Sequence, residues 1–335
     1  MSVCILPKLA GLGGPASFAA RLTAVLIERG VECHSDPQRM DTQAVLVMGG
    51  TRQVGALWQL KRRGVRIVQR LNGMNWIHKR MRTGWKHYVR SEANNMLLAT
   101  IRRYADRIIY QSGFSRDWWQ TVYGSAVAPG RVVYNGVDTR KLTPEGSGQK
   151  PEDRYRVLLV EGHLGGGNEP GLHNGIELCR QLAGRLDKPV ELMVVGDVPT
   201  TLRGEIQAEG VQIYWRGVVG RDEIPELDRS AHLLFSADLN AACPNAVIEA
   251  LACGLPVVAF ATGALPEMLR GDAGLTAPYG SDYWRLEPPD MARLADAAAT
   301  VLADLPRYQR GARAQAEALF DIQQVADSYL DVLLG

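Results

Sequence analysis

The chain has 335 residues, 46% of them hydrophobic and 22% charged, with a net charge of +2; this composition suits a folded chain large enough for two cores and excludes disordered and collagenous classes. No run approaches the length of an uncharged spanning segment, and the apolar N-terminus around Val3-Cys4-Ile5-Leu6 is too short and lacks the basic flank of a signal peptide, so a cytoplasmic protein is expected. The 5 cysteines are odd in number and scattered, and the 6 histidines lack ligand spacing, which excludes a disulfide framework and a zinc pattern.

In chain order, Val3 to Leu6 is expected as a strand, Gly11-Leu12-Gly13-Gly14-Pro15 as a turn and Ser17 to Arg29 as an amphipathic helix. With Ala16 the turn fits G-x-G-x-x-A, and Glu32 lies where a dinucleotide fold seeks an acid for the ribose, so an NAD-dependent oxidoreductase is one reading. Ala44 to Met48 and Val65 to Gln69 are expected strands. The polar loop Arg70-Leu71-Asn72-Gly73-Met74-Asn75-Trp76-Ile77-His78 follows directly, and read alone its single His78 is most simply a satisfied surface or core residue. Glu92 to Tyr104 has helical periodicity, Arg107 to Gln111 is a strand, and Ser112 caps a helix through Val122. The alternation of short apolar runs with helix-period segments predicts an α/β domain with a mostly parallel sheet.

Charge is unevenly placed. Between Arg52 and Arg107 the only acids are Glu92 and Asp106, while Trp58, Trp76, Trp85 and Tyr88 interleave with Lys61, Arg62, Arg63, Arg66, Arg70, Lys79, Arg80, Arg82, Lys86 and Arg90. Cations with interfacial aromatics suit a phosphorylated lipid, an anionic membrane surface or an acidic glycan. They are chemically compatible with nucleic acid as well, which is not the expected partner; a plain solvated helical face is the alternative.

From Thr143 to Asp153 the composition turns to Pro, Glu, Gly, Ser, Gln and Lys, which predicts a linker. A second α/β run follows. Arg156 to Val160 is a strand opening on Gly162-His163-Leu164-Gly165-Gly166-Gly167, which is expected either as an anion nest of glycine N–H groups with His163 as a local cation or as a plain flexible loop. Gly175 to Leu186 is a helix, Val190 to Val195 a strand ending at Gly196-Asp197, Val211 to Trp215 a strand, Glu223 to Ser230 a helix and His232 to Ser236 a strand. Pro289 to Leu305 and Arg307 to Leu334 are helical, broken at Pro306.

The most informative stretch runs from Ala241 to Phe260. It predicts a short helix with Pro244 near its start and Gly254 just past its end, then a buried strand. The start of such a helix offers unpaired N–H groups and a positive dipole end to an anion, through Asn245, Ala246 and Val247. Glu249 is the only charge between Asp238 and Glu267, placed to accept from sugar hydroxyls or, more simply, to sit as a helix acid favoured by the dipole.

Glu249-Ala250-Leu251-Ala252-Cys253-Gly254-Leu255-Pro256-Val257-Val258 and Gly263-Ala264-Leu265-Pro266-Glu267 resemble the nucleotide-sugar site of retaining glycosyltransferases of family 4, the glycosyl transferases group 1. Arg131-Val132-Val133-Tyr134-Asn135-Gly136-Val137-Asp138 is similar to that family's Pro-Asn-Gly-Val-Asp strand end, with Tyr134 in place of Pro. The resemblance implies the α/β GT-B fold, two facing Rossmann-like domains with a cleft between them: an acceptor domain over 1–142, a linker over 143–153, a nucleotide-sugar domain over 154–306, and a C-terminal helical segment over 307–335 crossing back to the first domain. It implies a nucleoside-diphosphate sugar as co-substrate, a glycan or lipid-linked acceptor, and no metal or other cofactor.

By the same resemblance Glu249 grips the donor ribose. Asn245, Ala246, Val247, Gly162, His163, Gly165 and Gly166 hold the diphosphate, and Gly13, Gly14, Asn72 and His78 lie on the acceptor side, with His78 and Asn245 as the catalytic candidates. Three positions depart from the family pattern: Ala241 stands where its first Glu does, and His163 and Asn168 stand where it has Arg and Lys. Those losses remove charge that stabilises a leaving diphosphate, which keeps a non-catalytic nucleotide-sugar-binding protein as an alternative. The expected function is cell-surface polysaccharide or glycolipid synthesis at the inner face of a membrane.

Overall fold

Runs such as Ala44-Val45-Leu46-Val47-Met48 are buried along their whole length. They have no polar face to give to water, so they become central strands covered on both sides. The computed structural model describes residues 1–9, 11, 13–82, 84–206, 208 and 210–335. Two compact units result, Met1–Asp138 with Phe320–Gly335, and Thr139–Leu319.

The first unit contains β1 (Ser2–Leu6), α1 (Gly14–Glu28), β2 (Glu32–His34), β3 (Ala44–Met48), α2 (Val54–Arg62), β4 (Arg66–Leu71), α3 (Trp85–Tyr104), β5 (Arg107–Tyr110), α4 (Gly113–Tyr123) and β6 (Gly130–Val132). Its parallel strands lie in the order β2-β1-β3-β4-β5-β6. Strand order reverses between β1 and β3, so the loops after them leave toward opposite faces and open a crevice at the carboxyl edge.

The second unit contains β7 (Tyr155–His163), α5 (Glu169–Ala183), β8 (Val190–Asp197), α6 (Thr200–Glu205), β9 (Gln212–Gly217), α7 (Ile224–Arg229), β10 (Leu233–Ser236), α8 (Asn245–Ala252), β11 (Val257–Phe260), α9 (Leu265–Met268), β12 (Gly274–Ala277), α10 (Met291–Ala303) and α11 (Leu305–Leu319). The order β12-β11-β10-β7-β8-β9, again parallel, reverses between β7 and β10. The predicted α/β class is therefore present twice, as two Rossmann-like sheets.

The last helix, α12 (Ile322–Leu334), belongs to the first unit. Ile322, Val325, Ala326, Tyr329 and Leu333 recur at helical spacing and bury one face against α1, with the Tyr329 and Phe18 ring centroids 5.6 Å apart. Each such large side chain contributes roughly 1.5–3 kcal/mol. Val137 N–H donates to Phe320 O and Ile322 N–H to Val137 O, both at 2.9 Å, stitching the chain beside its exit from this unit.

Several expectations are corrected. The segment expected as a linker over 143–153 belongs to the second unit, docked on α7: Ser147 Oγ lies 2.6 Å from Glu226 Oε1 and Arg229 donates to Thr143 O. Gly148 permits this approach, since a Cβ there would stand 2.2 Å from Glu226 O. The unit boundaries accordingly fall after Asp138 and after Leu319, and of the segment 307–335 only the part from Phe320 joins the first unit. The helix break expected at Pro306 falls at Asp304, between α10 and α11, and Pro306 itself sits in the first turn of α11, where its missing N–H costs nothing. Helix α1 starts at Gly14, with Pro15 in its first turn, so Gly14 is helical; Leu12 of the expected turn lies outside the described residues. Helix α3 begins at Trp85, seven residues before the expected Glu92.

Candidate active site

In the second unit the reversal point lies where β7 and β10 end. The loop after β10 leads into α8, whose N-cap is Pro244 and whose start carries no side-chain cap. Its other end follows the sequence expectation: Gly254 has φ +69°, and Leu255 N–H donates to Ala250 O at 2.8 Å, closing the helix in a left-handed cap. Arg313 of α11 fixes that end further, donating to the carbonyls of Ala252, Leu142 and Thr139 at 2.6 to 2.7 Å.

Asn245 and Ala246 are half-buried at the helix start, and Glu249 is 9% exposed one turn further in. Val247 is fully buried, which confines any part it plays to its backbone. Glu249 lies near Asp228 of α7: burial first, and the Glu249 charge second, push the Asp228 carboxyl well above its ordinary range. Ala241, at the position of the family's first Glu, is 3% exposed and clasped by the Gly263 turn, with Ala264 N–H donating to Ala241 O at 2.9 Å. Gly263, at φ +59°, is required there because a Cβ would stand 2.8 Å from both Ala241 N and O.

The turn expected over Gly162–Gly167 is partly strand. β7 continues through Gly162 and His163 because, after a bulge, His163 pairs in register with Asp197 of β8. The His163 ring is committed to the same partner, with Nδ1 at 2.8 Å from Asp197 Oδ2. Gly165 is buried rather than lining an open cradle, packed so that a Cβ would meet His163 Nε2 and Pro199 at 2.8 Å. Gly166 is exposed at φ +64°, and the neighbouring Gly167 N–H donates to Glu169 Oε2 at 2.8 Å. An anion is therefore already seated on part of the expected nest, and it is the chain's own. Asn168 donates to His163 O at 3.3 Å.

Two acids missed in the sequence appear here. Glu161 ends the apolar run of β7, and Asp238 follows β10 on the adjacent strand. Enclosure of Glu161, then the Asp238 charge, raise the Glu161 carboxyl above its usual range. The sequence signal was a lone carboxylate closing each apolar strand, which means nothing until the two strands are known to be neighbours.

In the first unit Gly13 and Gly14 lie at the start of α1 and are exposed, and Asn72 directly follows β4. Asn72 is tightly held: its carbonyl accepts from Trp119 Nε1 at 2.7 Å and Ser115 Oγ at 3.1 Å. His78 is 5% exposed, in a single turn over Ile77–Lys79, and its Nε2 lies 2.6 Å from Glu92 Oε1, which also pairs with Lys79. The hydrogen bond from His78, then that from Lys79, lower the Glu92 carboxyl. The ring also packs edge-on to Tyr88 at 5.0 Å. His78 is thus itself buried and paired with the half-buried Glu92, which was expected only as a helix start.

Glu32 does not fit a dinucleotide site. It pairs in register with Ser2 at the amino edge of β1, opposite to the edge where a ribose binds, and its carboxylate is tied to Arg39 at 2.6 Å.

The basic segment forms a mixed surface. Arg62, Lys79, Arg80, Arg82, Lys86, Arg90 and Arg103 are exposed, as are Trp58 (50%) and Trp85 (74%), whereas Arg70 and Arg102 are buried and drop out of it. Between α2 and α3 runs an apolar groove of about 330 Å³ lined by Val54, Leu57, Trp58, Ile101 and Tyr104, with Arg103 at its side. Among the described residues no helix is long and apolar enough to cross a membrane, and no group of three His, Cys, Asp or Glu side chains is placed to hold a metal.

Comparison with known proteins gives matches over both units. The profile described as Glycosyltransferase Family 4 matches residues 50–141, and that described as Glycosyl transferases group 1 matches residues 156–304. The chain is 28% identical over 236 residues to a GDP-mannose-dependent alpha-(1-6)-phosphatidylinositol dimannoside mannosyltransferase of Mycobacterium tuberculosis, covering 68% of this chain and 57% of that protein. It spans about half the length of the curated relatives it matches. Among solved structures it superposes on a sucrose-phosphate synthase from Thermosynechococcus elongatus with a TM-score of 0.72 at 15% identity, covering 98% and 97% of the two chains. It also superposes on Anabaena HepE in complex with UDP-glucose with a TM-score of 0.67 at 17% identity, covering 99% of each. These likenesses establish the GT-B fold.

Proposed function

Because the chain belongs to the glycosyltransferases of family 4, the glycosyl transferases group 1, we propose that it transfers a sugar, with retention of configuration, from a nucleoside-diphosphate donor to a glycan or lipid-linked acceptor in cell-surface polysaccharide or glycolipid synthesis. One observation carries the reading: a single helix, α8, joins an amino end without a side-chain cap to a buried carboxylate, Glu249, one turn along. The two are about 6 Å apart along the axis, the span of a ribose with its phosphate linkage. The helix end stabilises the diphosphate as it leaves, and Glu249 accepts from the ribose hydroxyls. No metal is called on, since the dipole and backbone supply the positive field. The GDP-mannose-dependent relative and the UDP-glucose complex of HepE support a nucleotide-sugar donor. Incubation of the full chain with UDP- and GDP-sugars, followed by NMR of the anomeric signal, tests this. Slow donor hydrolysis with the donor's anomeric configuration kept is expected; inverted product discards retention.

A second reading, binding without catalysis, is favoured by Ala241 and by the His163 ring being held on Asp197. No hydrolysis or transfer from any donor that binds would select it.

The exposed cations and tryptophans of the first unit suit peripheral attachment at the inner face of a membrane. Liposomes with about a third anionic lipid should sediment the protein at low salt and release it as the Debye length shortens from about 30 Å to about 8 Å. Trp58→Ser with Trp85→Ser should reduce binding; partition insensitive to salt and to both changes removes the assignment.

A further inference from the structure

Helices α2 and α3 share one core with β4, yet an apolar groove of about 330 Å³ stays open between them. Val54, Leu57 and Trp58 line its α2 side, and Ile101 and Tyr104 its α3 side. Each set recurs at a spacing of three or four residues and so forms one stripe on its own helix. Leu57 and Ile101, each 1% exposed, make the floor, while Val54 and Trp58 stand open to solvent. Thr100 also lines the groove, but its hydroxyl donates to Met96 O at 2.8 Å and is spent within α3.

Size and chemistry narrow what fits. The volume lies at the low end of ligand pockets, about 300–1,000 Å³, so the groove takes a slender segment rather than a whole lipid or a folded partner. A peptide strand would bring N–H and C=O groups that these walls do not answer, whereas a polymethylene chain brings none. Charge at the rim selects the other end of the ligand. The Arg62 guanidinium lies 4.7 Å from the Trp58 ring centroid, and Arg103 lines the groove itself. Neither has a carboxylate partner among the described residues, because the two acids of this segment are already spent: Asp106 on Lys61, and Glu92 on His78 and Lys79. An apolar channel flanked by two uncompensated guanidinium groups complements a molecule with an aliphatic tail and an anionic head.

We propose that the α2–α3 groove takes one acyl chain of an anionic membrane phospholipid, with Arg62 and Arg103 as the cations for its phosphate. The site deepens the membrane attachment proposed above and rests on that reading for the source of its lipid. Surface attachment needs only cations and interfacial rings. Here a single chain leaves the bilayer, and the protein gains a saturable lipid site.

Calorimetric titration of the full chain with short-chain lipids held below their micelle concentrations tests the site without a bilayer. Dioctanoyl phosphatidylglycerol should bind saturably, one lipid per chain. Since each buried methylene is worth roughly a fourfold change in affinity, dihexanoyl phosphatidylglycerol should bind about tenfold more weakly. Zwitterionic dioctanoyl phosphatidylcholine should also bind more weakly. Thr100→Trp, at an exposed position, fills the groove and leaves every cation, and should raise the dissociation constant for dioctanoyl phosphatidylglycerol at least tenfold. Arg62→Gln with Arg103→Gln, both exposed, covers the case in which that variant fails to fold, and should abolish the preference for phosphatidylglycerol over phosphatidylcholine. No saturable uptake by the wild-type chain, equal constants for the two phosphatidylglycerols, an unchanged constant in folded Thr100→Trp, or a preference kept in the double variant overturns the proposal. Self-association that Thr100→Trp abolishes, without lipid uptake, overturns it in favour of a second copy of the chain. The two membrane readings fail separately. Liposome sedimentation insensitive to salt removes surface attachment and leaves the groove as a lipid site, whereas salt-sensitive sedimentation without uptake of monomeric lipid keeps attachment and removes the acyl chain.

Discussion

Glu249→Ala should weaken binding of a nucleoside diphosphate by about tenfold to a hundredfold, the loss expected when a charged acceptor of hydroxyl hydrogen bonds, worth about 1.5–3 kcal/mol, is removed. Titration calorimetry with UDP and GDP reads the effect, and unchanged affinity for whichever nucleotide binds would remove Glu249 from the site. A second readout is built into the fold. Burial first, and the Glu249 charge second, raise the carboxyl of Asp228, which is 1% exposed, so its folded pKa lies above its unfolded one. The folded chain then binds the extra proton, and this contribution to stability is complete below the ordinary carboxylate pKa and lost as pH rises through the raised value. Removing Glu249 lowers that folded value, so the decline of melting temperature with pH should become shallower. Asp228→Asn should flatten it as well, while nucleotide affinity stays near wild type.

Gly196→Ala should be the more damaging change to the fold. Gly196 has φ +133°, and a Cβ on it would stand 1.7 Å from Glu161 O and 2.9 Å from Glu161 C, both backbone atoms of the neighbouring strand. No rotamer relieves such a clash, so β7 and β8 must part at the edge where the site lies, at a cost of about 3 kcal/mol or more. Gly162→Ala is the matched control, because a Cβ there meets nothing within 4 Å. Urea unfolding of the two variants should separate them widely; equal midpoints would show that the strands do not approach as closely as described.

Features set by near neighbours in sequence were legible there. The Gly254 cap, the Ser112 cap, whose side chain accepts from Ser115 N–H at 3.0 Å, and the buried strands all follow from local stereochemistry and apolar periodicity. Helix α3 was cut short because its first turns, Trp85-Lys86-His87-Tyr88-Val89-Arg90, are exposed throughout and show no apolar stripe. The sites depend on what the sheets bring together. Arg70 looked like one more cation of a basic surface, and only its strand position buries it. Glu161 and Asp238 lie far apart in the chain and meet through the pairing of β7 with β10. The linker expectation failed for the opposite reason: glycines taken as flexible serve at Gly146 and Gly148 to let the backbone lie against Arg229 and Glu226.

The return of α12 to the first unit also has a bearing on biosynthesis. When Asp138 leaves the ribosome, the sheet that it completes still lacks Ile322, Tyr329 and Leu333, and the side of α1 around Phe18 stands bare. About 180 residues must be translated before that cover arrives, which at 5–20 residues per second takes roughly 10–40 s. The second unit, wholly contained in the intervening stretch, can fold as it emerges. The nascent first half therefore presents a sticky apolar stripe for that interval and is the natural client for a holding chaperone.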